Sequence, residues 1–384
     1  MRTPVVLICG QTGTDDVTAE LAREPGTLVV RHRDEGRVVL RSVITATHTT
    51  ELPLELVRDC PSCTVRDDLL VLLRRLHRRG DVKRIVVELM PWLDPEPVCW
   101  AIDNVRVRVG PDYIDGPAAL DVRVDAVVTC LDPAGWITAA TGDDDLNDGR
   151  TVAQVLVGQA EFADVLVLAQ PHPRTTQVLR RLAPRAHRTV GAAGVTAALA
   201  GLDPSARRGR TDGPHDPLLI GEPVLETDDE IGLLLFTARR PFHPERLHHA
   251  LDHLLDGVVR ARGRLWLANH PDEVLWMESA GGGMHFEHAG KWLAAMDRSE
   301  FAYADPQRRA LAAADWDDTV GDRQAALSVL VCGAEPEAIA AALRDALLTD
   351  AEARRPNDWP TYRDPFVDWY HPPADIAPTR GEDR

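Results

Sequence analysis

Long apolar runs are missing from this chain, and so is any surplus of positive charge. No stretch approaches the roughly 20 apolar residues that cross a bilayer as a helix, so no transmembrane helix is expected. The apolar start, Pro4 to Cys9, is too short for a signal peptide and lacks a cleavage site, so a cytoplasmic location is expected. The 43 basic residues are outnumbered by 60 acidic ones, which leaves a net charge of -17. Such a surface repels phosphate backbones, so direct nucleic-acid contact is not expected and any such role should run through a protein partner. Cysteine is sparse as well. The six are scattered, a reduced intracellular pattern and not a disulfide framework. Cys9, Cys130 and Cys332 each end an apolar run and read as small core residues, while Cys99 has no informative context.

What the chain does carry is Arg58-Asp59-Cys60-Pro61-Ser62-Cys63-Thr64-Val65-Arg66, a Cys-x-x-Cys pair directly ahead of a helix. Thr64 and Asp67 match a capping box, and Leu69, Leu70, Leu72, Leu73 and Leu76 supply the apolar face that follows. The positive helix end beside Cys63 favours its thiolate. Such a pair is half of a zinc or other soft-metal site, a redox couple, or a structural loop without chemistry. Two thiols supply only two donors, so zinc needs more. His48 in the preceding loop is the first candidate, and Glu51 or Glu55 the next.

A length of 384 residues suggests two domains. In the first half, buried-strand runs at Pro4–Cys9, Thr27–Arg31, Ile85–Leu89, Ala126–Leu131 and Asp164–Ala169 alternate with helical stretches at Leu69–Arg79, Trp92–Asn104, Thr151–Phe162 and Thr175–Leu182. That alternation predicts a doubly wound, mainly parallel α/β sheet. The first strand runs into Gly10-Gln11-Thr12-Gly13-Thr14, the setting of a phosphate-binding loop. Its continuation, Asp15-Asp16-Val17, stands where Gly-Lys-[Ser/Thr] would complete the motif, with Thr18 one residue late. Two carboxylates there repel a triphosphate by several kcal/mol in a partly desolvated pocket.

The order of these motifs resembles the CobW-like P-loop GTPases, zinc- and cobalt-handling proteins. Cys60 and Cys63 match the first and third cysteines of the family's Gly-Cys-x-Cys-Cys-Thr-Leu-Arg motif, with Ser62 in place of the second. Glu88, in Glu88-Leu89-Met90-Pro91-Trp92, matches the carboxylate after the third main strand. The resemblance implies zinc at Cys60 and Cys63, and GTP with Mg²⁺ near Gly10, Gly13 and Glu88. Ala169-Gln170-Pro171-His172 replaces the guanine-reading Asn-Lys-x-Asp, so binding and hydrolysis of GTP are left open.

Residues 203–217 read as a polar linker between a degenerate P-loop domain (1–202) and a smaller α+β domain (218–371), with a disordered tail after that. A strand is expected at Ile231–Thr237, a helix at Glu245–Val259, a basic turn into a strand over Val259–Ala268, and a strand at Ala326–Cys332. Arg239-Arg240-Pro241-Phe242-His243-Pro244, Arg264-Leu265-Trp266-Leu267-Ala268 and Asp364-Pro365-Phe366 resemble the CobW C-terminal domain. Together with the eroded phosphate loop they look most like the actinobacterial branch called the ribosome hibernation factor-recruiting GTPase. That implies a hibernation-promoting factor and, through it, the ribosome as partners. His249 and His253 stand at i,i+4 on the expected helix, a spacing that suits a solvated face or a metal chelate. Arg260, Arg262 and Arg264 are expected to pair internally, Trp266, Trp276 and Trp292 to be core, and Gly281-Gly282-Gly283 to be a hairpin connection.

Overall fold

The computed structural model describes residues 2–219, 221–226, 228 and 230–366. The expected disordered tail lies outside these residues. The described residues divide into two compact units, one falling within 1–140, 145–212 and 220–224, the other within 141–144, 213–219 and 225–366.

The first unit runs β1 (Thr3–Gly10), α1 (Thr14–Ala22), β2 (Thr27–Asp34), β3 (Val38–Ile44), β4 (Thr49–Glu55), α2 (Pro61–His77), β5 (Arg84–Glu88) and α3 (Pro95–Asn104). It continues with β6 (Val122–Leu131), α4 (Pro133–Ala140), α5 (Val152–Glu161), β7 (Val165–Leu168), α6 (Pro173–Leu182), β8 (His187–Val190) and α7 (Val195–Ala200). The strands form one sheet in the order β4-β3-β2-β5-β1-β6-β7-β8. From β2 to β8 every pairing is parallel; β3 and β4 add an antiparallel hairpin. Helices cover both faces, which is why the central strands read as unbroken apolar runs. Within β1, Val5, Leu7 and Cys9 face the side packed by Val65, Leu69, Leu73 and Ile102 of α2 and α3. Val6 and Ile8 face the other side, toward Val17 and Leu21 of α1.

The expected doubly wound, mainly parallel sheet is therefore present. The hairpin of β3 and β4 and the short β8 were not anticipated. All of β4 but Leu54 is exposed, and Pro53 stands within it, so it has neither a buried face nor strand-like composition.

In the second unit β9 (Ile231–Ala238), α8 (Pro244–Ala250), β10 (Val258–Leu265), β11 (Glu273–Ala280), β12 (Gly283–Lys291), α9 (Arg298–Tyr303), α10 (Pro306–Ala314), β13 (Ala325–Cys332), α11 (Pro336–Ala346) and α12 (Asp350–Ala353) follow in order. The five strands form an antiparallel sheet, β12-β11-β10-β13-β9. Leu247, Ile339 and Leu343 pack on Leu327, Val329 and Val331 of β13. The helix expected at 245–259 ends at Ala250, a 3-10 turn follows, and Gly257, at φ 68°, turns the chain into β10. His249 and His253 consequently do not share an α-helical face. The arginines expected in a turn alternate along β10 and pair internally: Arg260 with Glu278, Arg262 with the Leu218 carbonyl, Arg264 with those of Pro214 and Asp216. Trp266, Trp276 and Trp292 are buried as expected, and Gly281-Gly282 joins β11 to β12.

Residues 203–217, the expected linker, are hydrogen-bonded at both ends. The Arg208 N–H donates to Asp164 in the first unit, whereas His215 hydrogen-bonds the Ala289 carbonyl in the second. Among the described residues no helix is long and apolar enough to cross a membrane.

Candidate functional site

β1 leaves the sheet at Gly10, whose φ is 126°. A Cβ there would lie 2.0 Å from the Cys130 carbonyl oxygen, so only glycine lets β1 and β6 run this close. Gly13, at φ 76°, caps α1 in the left-handed region and faces open space. The two glycines thus build the turn a phosphate loop needs, and α1 points its N-terminus out of it. Asp15 and Asp16 fill the first helical turn. The chain has two lysines, Lys83 and Lys291, and neither belongs to the loop.

Glu88 closes β5 beside this loop, its side chain 9% exposed. Thr18 Oγ1 donates to Glu88 Oε2 at 2.8 Å and Thr14 Oγ1 to Oε1 at 3.4 Å. Arg31, in register with Glu88 on neighbouring β2, places Nη2 2.6 Å from Glu88 Oε2 and 2.5 Å from Asp15 Oδ1. Sequence reasoning passed over Arg31. Its signal was a charged residue closing an apolar run at the carboxyl end of a parallel strand, the end where such sheets hold ligands.

The segment after β5 is held just as closely. Leu89 N–H donates to the Ile8 carbonyl. Gln159, fully buried in α5, donates from Nε2 to the Pro91 and Leu93 carbonyls at 2.9 and 3.0 Å. Gln11 donates to Pro91 O at 3.0 Å and to Gln159 Oε1 at 2.8 Å. Arg150 grips Asp94 at 2.7 Å and the Trp92 carbonyl at 2.9 Å. Burial nevertheless pushes the Asp94 carboxyl above its ordinary range, against the pull of Arg150. At the corner where a guanine would be read, His172 Nδ1 accepts from Thr175 N–H and caps α6. A nucleoside triphosphate with Mg²⁺ does not fit this residue set. A carboxylate stands where the cationic partner of the phosphates would be, the metal-side carboxylate Glu88 already accepts from Arg31 and from both hydroxyls, and the base-reading position serves a helix cap.

The thiols are arranged differently from the expectation. Val57 O accepts from Cys60 N–H at 3.0 Å across a turn whose central residues, Arg58 and Asp59, have φ of 52° and 54°. Both are left-handed without being glycine, a strained turn that aims Cys60 at the helix start. α2 begins at Pro61, three residues before the expected cap, and Cys60 itself is the N-cap, its Sγ accepting from Cys63 N–H at 3.2 Å. Thr64 and Asp67 therefore form no capping box. Thr64 Oγ1 clamps the turn instead, accepting from Val57 N–H and donating to the Cys60 carbonyl. The two sulfurs lie 2.7 Å apart. Burial pushes the Cys60 thiol up, but hydrogen bonds with Cys63 Sγ, Ser62 and Cys63 N–H, together with the Arg66 charge, outweigh it and hold Cys60 below its ordinary value. The hydrogen bond to Cys60 and then burial push Cys63 up. Of the two thiols it is Cys60, not Cys63 as the helix end alone suggested, whose value is lowered.

Two adjacent sulfurs suit a soft cation such as zinc once they shed their protons. Among the described residues no third His, Cys, Asp or Glu joins them in a group fit for a metal. His48 sits in the turn at the far end of β4, about 23 Å from Glu55 at roughly 3.3 Å per residue. Glu51 accepts from Ser42 Oγ at 3.1 Å. The remaining donors of a tetrahedral zinc would be water or groups from another molecule.

Comparison with known proteins accords with this division. Residues 35–193 match the family described as CobW/HypB/UreG, nucleotide-binding domain, a match that starts beyond the phosphate loop, and residues 231–347 match the cobalamin synthesis protein cobW C-terminal domain. The Mycobacterium tuberculosis protein named Zinc chaperone Rv0106 is 60% identical over 382 residues, which is 98% of this chain and 96% of that one. The Dictyostelium discoideum Zinc-regulated GTPase metalloprotein activator 1 is 26% identical over 361 residues, 84% of this chain and 73% of that one. The Zn(II)-bound YjiA GTPase from E. coli aligns over 91% of this chain and 100% of that chain, at 14% identity and a TM-score of 0.38. With its nucleotide-binding-type first domain and its antiparallel second domain, the chain belongs to the CobW family.

Proposed function

We propose that this chain is a zinc-responsive member of the family that works without a nucleotide cycle. Zinc is taken at Cys60 and Cys63, and its occupancy decides whether the protein engages a hibernation-promoting factor and brings it to ribosomes. The observation that carries the reading is the contrast between the two sites. The phosphate loop is satisfied internally by Arg31, Thr18 and Thr14, while the Cys60–Cys63 pair, partly exposed at a helix start, retains donor capacity. A net charge of -17 suits a protein-binding recruiter in the cytoplasm better than an rRNA-binding one, and it steers basic partners toward it. The test is co-purification of the tagged protein with the factor from zinc-limited and zinc-replete cells, using wild type and C60S/C63S. Recovery should follow zinc status in wild type and ignore it in the variant. Equal recovery in all four samples removes zinc from the mechanism, and no recovery in any removes the partner.

A second reading, delivery of zinc to a client protein, is favoured by the name of the 60% identical relative. It predicts transfer of zinc from the loaded protein to an apo client in vitro, faster than release of zinc to buffer and without added GTP.

A further inference from the structure

We infer that Arg31 is the resident cation of the phosphate loop, a tethered guanidinium in the place where a divalent ion would otherwise sit between buried Glu88, exposed Asp15, Thr14 and Thr18. This rests on the reading that the protein works without nucleotide. A carboxylate and a helix hydroxyl are the ligands with which phosphate-loop enzymes hold Mg²⁺. Here the same types of group converge on an arginine. One nitrogen, Nη2, lies 2.6 Å from Glu88 Oε2 and 2.5 Å from Asp15 Oδ1, and Thr18 and Thr14 complete the Glu88 carboxylate. This is not the two-pronged geometry of an arginine selected to grip one carboxylate. Arg31 Nε is buried and finds no partner, so the side chain bridges two acids at the cost of one of its own donors.

The backbone fixes the bridge. β2 is interior to the sheet, hydrogen-bonded to β5 on one side and β3 on the other, with Arg31 opposite Glu88 and Ser42. The cation therefore cannot leave with a product or exchange with solvent as an ion does. Glu88 is nearly buried and needs a counter-charge, since an unpaired carboxylate is costly there. Without Arg31, two carboxylates and two hydroxyls would face one another with no cation among them. That is a hard-oxygen set of the type Mg²⁺ accepts.

The experiment titrates MgCl2 alone into full-length wild type, R31M and R31K, following thermal unfolding and isothermal calorimetry. Magnesium prefers oxygen donors, so the thiol pair does not enter the signal. Wild type should be indifferent to Mg²⁺. R31M should melt lower in metal-free buffer, recover on addition of Mg²⁺, and bind one ion at least about tenfold tighter than wild type does. R31K, which keeps the charge, should stay indifferent, and E88Q added to R31M should abolish the gain. If R31M folds only when expressed and purified with Mg²⁺ and unfolds on chelation, the inference is equally supported. Equal Mg²⁺ binding by wild type and R31M overturns it, as does a folded R31M that ignores the ion or an R31K that responds as R31M does. Tight GTP·Mg²⁺ binding by wild type would instead strike the nucleotide-free reading, so the two failures are distinguishable.

Discussion

Arg31 and Glu88 stand opposite each other on adjacent parallel strands, with Arg31 Nη2 2.6 Å from Glu88 Oε2. The pair meets because β2 and β5 pair in register, although 57 positions separate the residues along the chain. Glu88 is the carboxylate that the family resemblance assigned to Mg²⁺ and nucleotide, and here its charge is already compensated.

GTP should accordingly bind weakly and with no preference over ATP. Asp16 occupies the lysine position and His172 the base-reading corner, so neither phosphate nor guanine meets its usual partner. Calorimetry with each nucleotide and Mg²⁺ decides this. A submicromolar GTP constant, clearly tighter than that for ATP, would contradict it.

The thiols should react unequally. Iodoacetamide is expected to label Cys60 before Cys63, because Cys60 is held below its ordinary value and Cys63 above it. Cys9, pushed up to about 12 by burial, and Cys99 and Cys130, also raised by burial, should stay silent in the native state. Zinc stoichiometry should drop by one in C60S/C63S. In wild type, affinity should weaken as pH falls, since both sulfurs must shed protons to bind. Peptide mapping of labelled protein and metal analysis provide the readouts, and unchanged stoichiometry in the double variant would move the site elsewhere.

Gly10 and Gly13 should differ sharply on substitution. Gly10→Ala puts a methyl 2.0 Å from the Cys130 carbonyl at φ 126°, so β1 and β6 must part at a cost above about 3 kcal/mol. Gly13→Ala meets nothing and incurs only left-handed strain, roughly 1 kcal/mol. Urea unfolding of both variants measures the gap. Equal losses would mean that the approach of β1 to β6 is not what glycine secures.

Stability should also depend on His215. Burial, reinforced by the Arg308 charge, brings it down to about 4 from the ordinary 6.5. Between those values the unfolded chain binds more protons than the folded one, so stability is full above pH 6.5 and declines as pH falls toward 4. H215Q carries no titrating ring and should flatten that part of the profile. An unchanged slope would assign the pH dependence to other groups.

Much of the sheet was legible because β1, β5, β6 and β7 are covered on both faces and must be apolar throughout. The hairpin of β3 and β4 was not. With six of its seven residues exposed, β4 carries no alternation to read. The start of α2 was misplaced because Cys60 caps it with sulfur, which sequence rules for oxygen-bearing caps do not register. Helix propensity across 245–259 lost to Gly257, whose left-handed turn comes within contact distance of the Gly333-Ala334 backbone. Cys60 and Cys63 were visible as a local motif, whereas Arg31 gains its role only from strand register.

The hairpin has one more effect. An open sheet of eight strands ends in rows of unpaired N–H and C=O groups that a second molecule can use as a template. On one border this chain places β4, in which Pro53 withholds an N–H and Glu51 and Glu55 add like charge against any incoming copy. On the other it places β8, only four residues long. Both borders are poor nuclei for fibrillar stacking, so the hairpin that flanks β2 also guards the protein against polymerising through its own sheet.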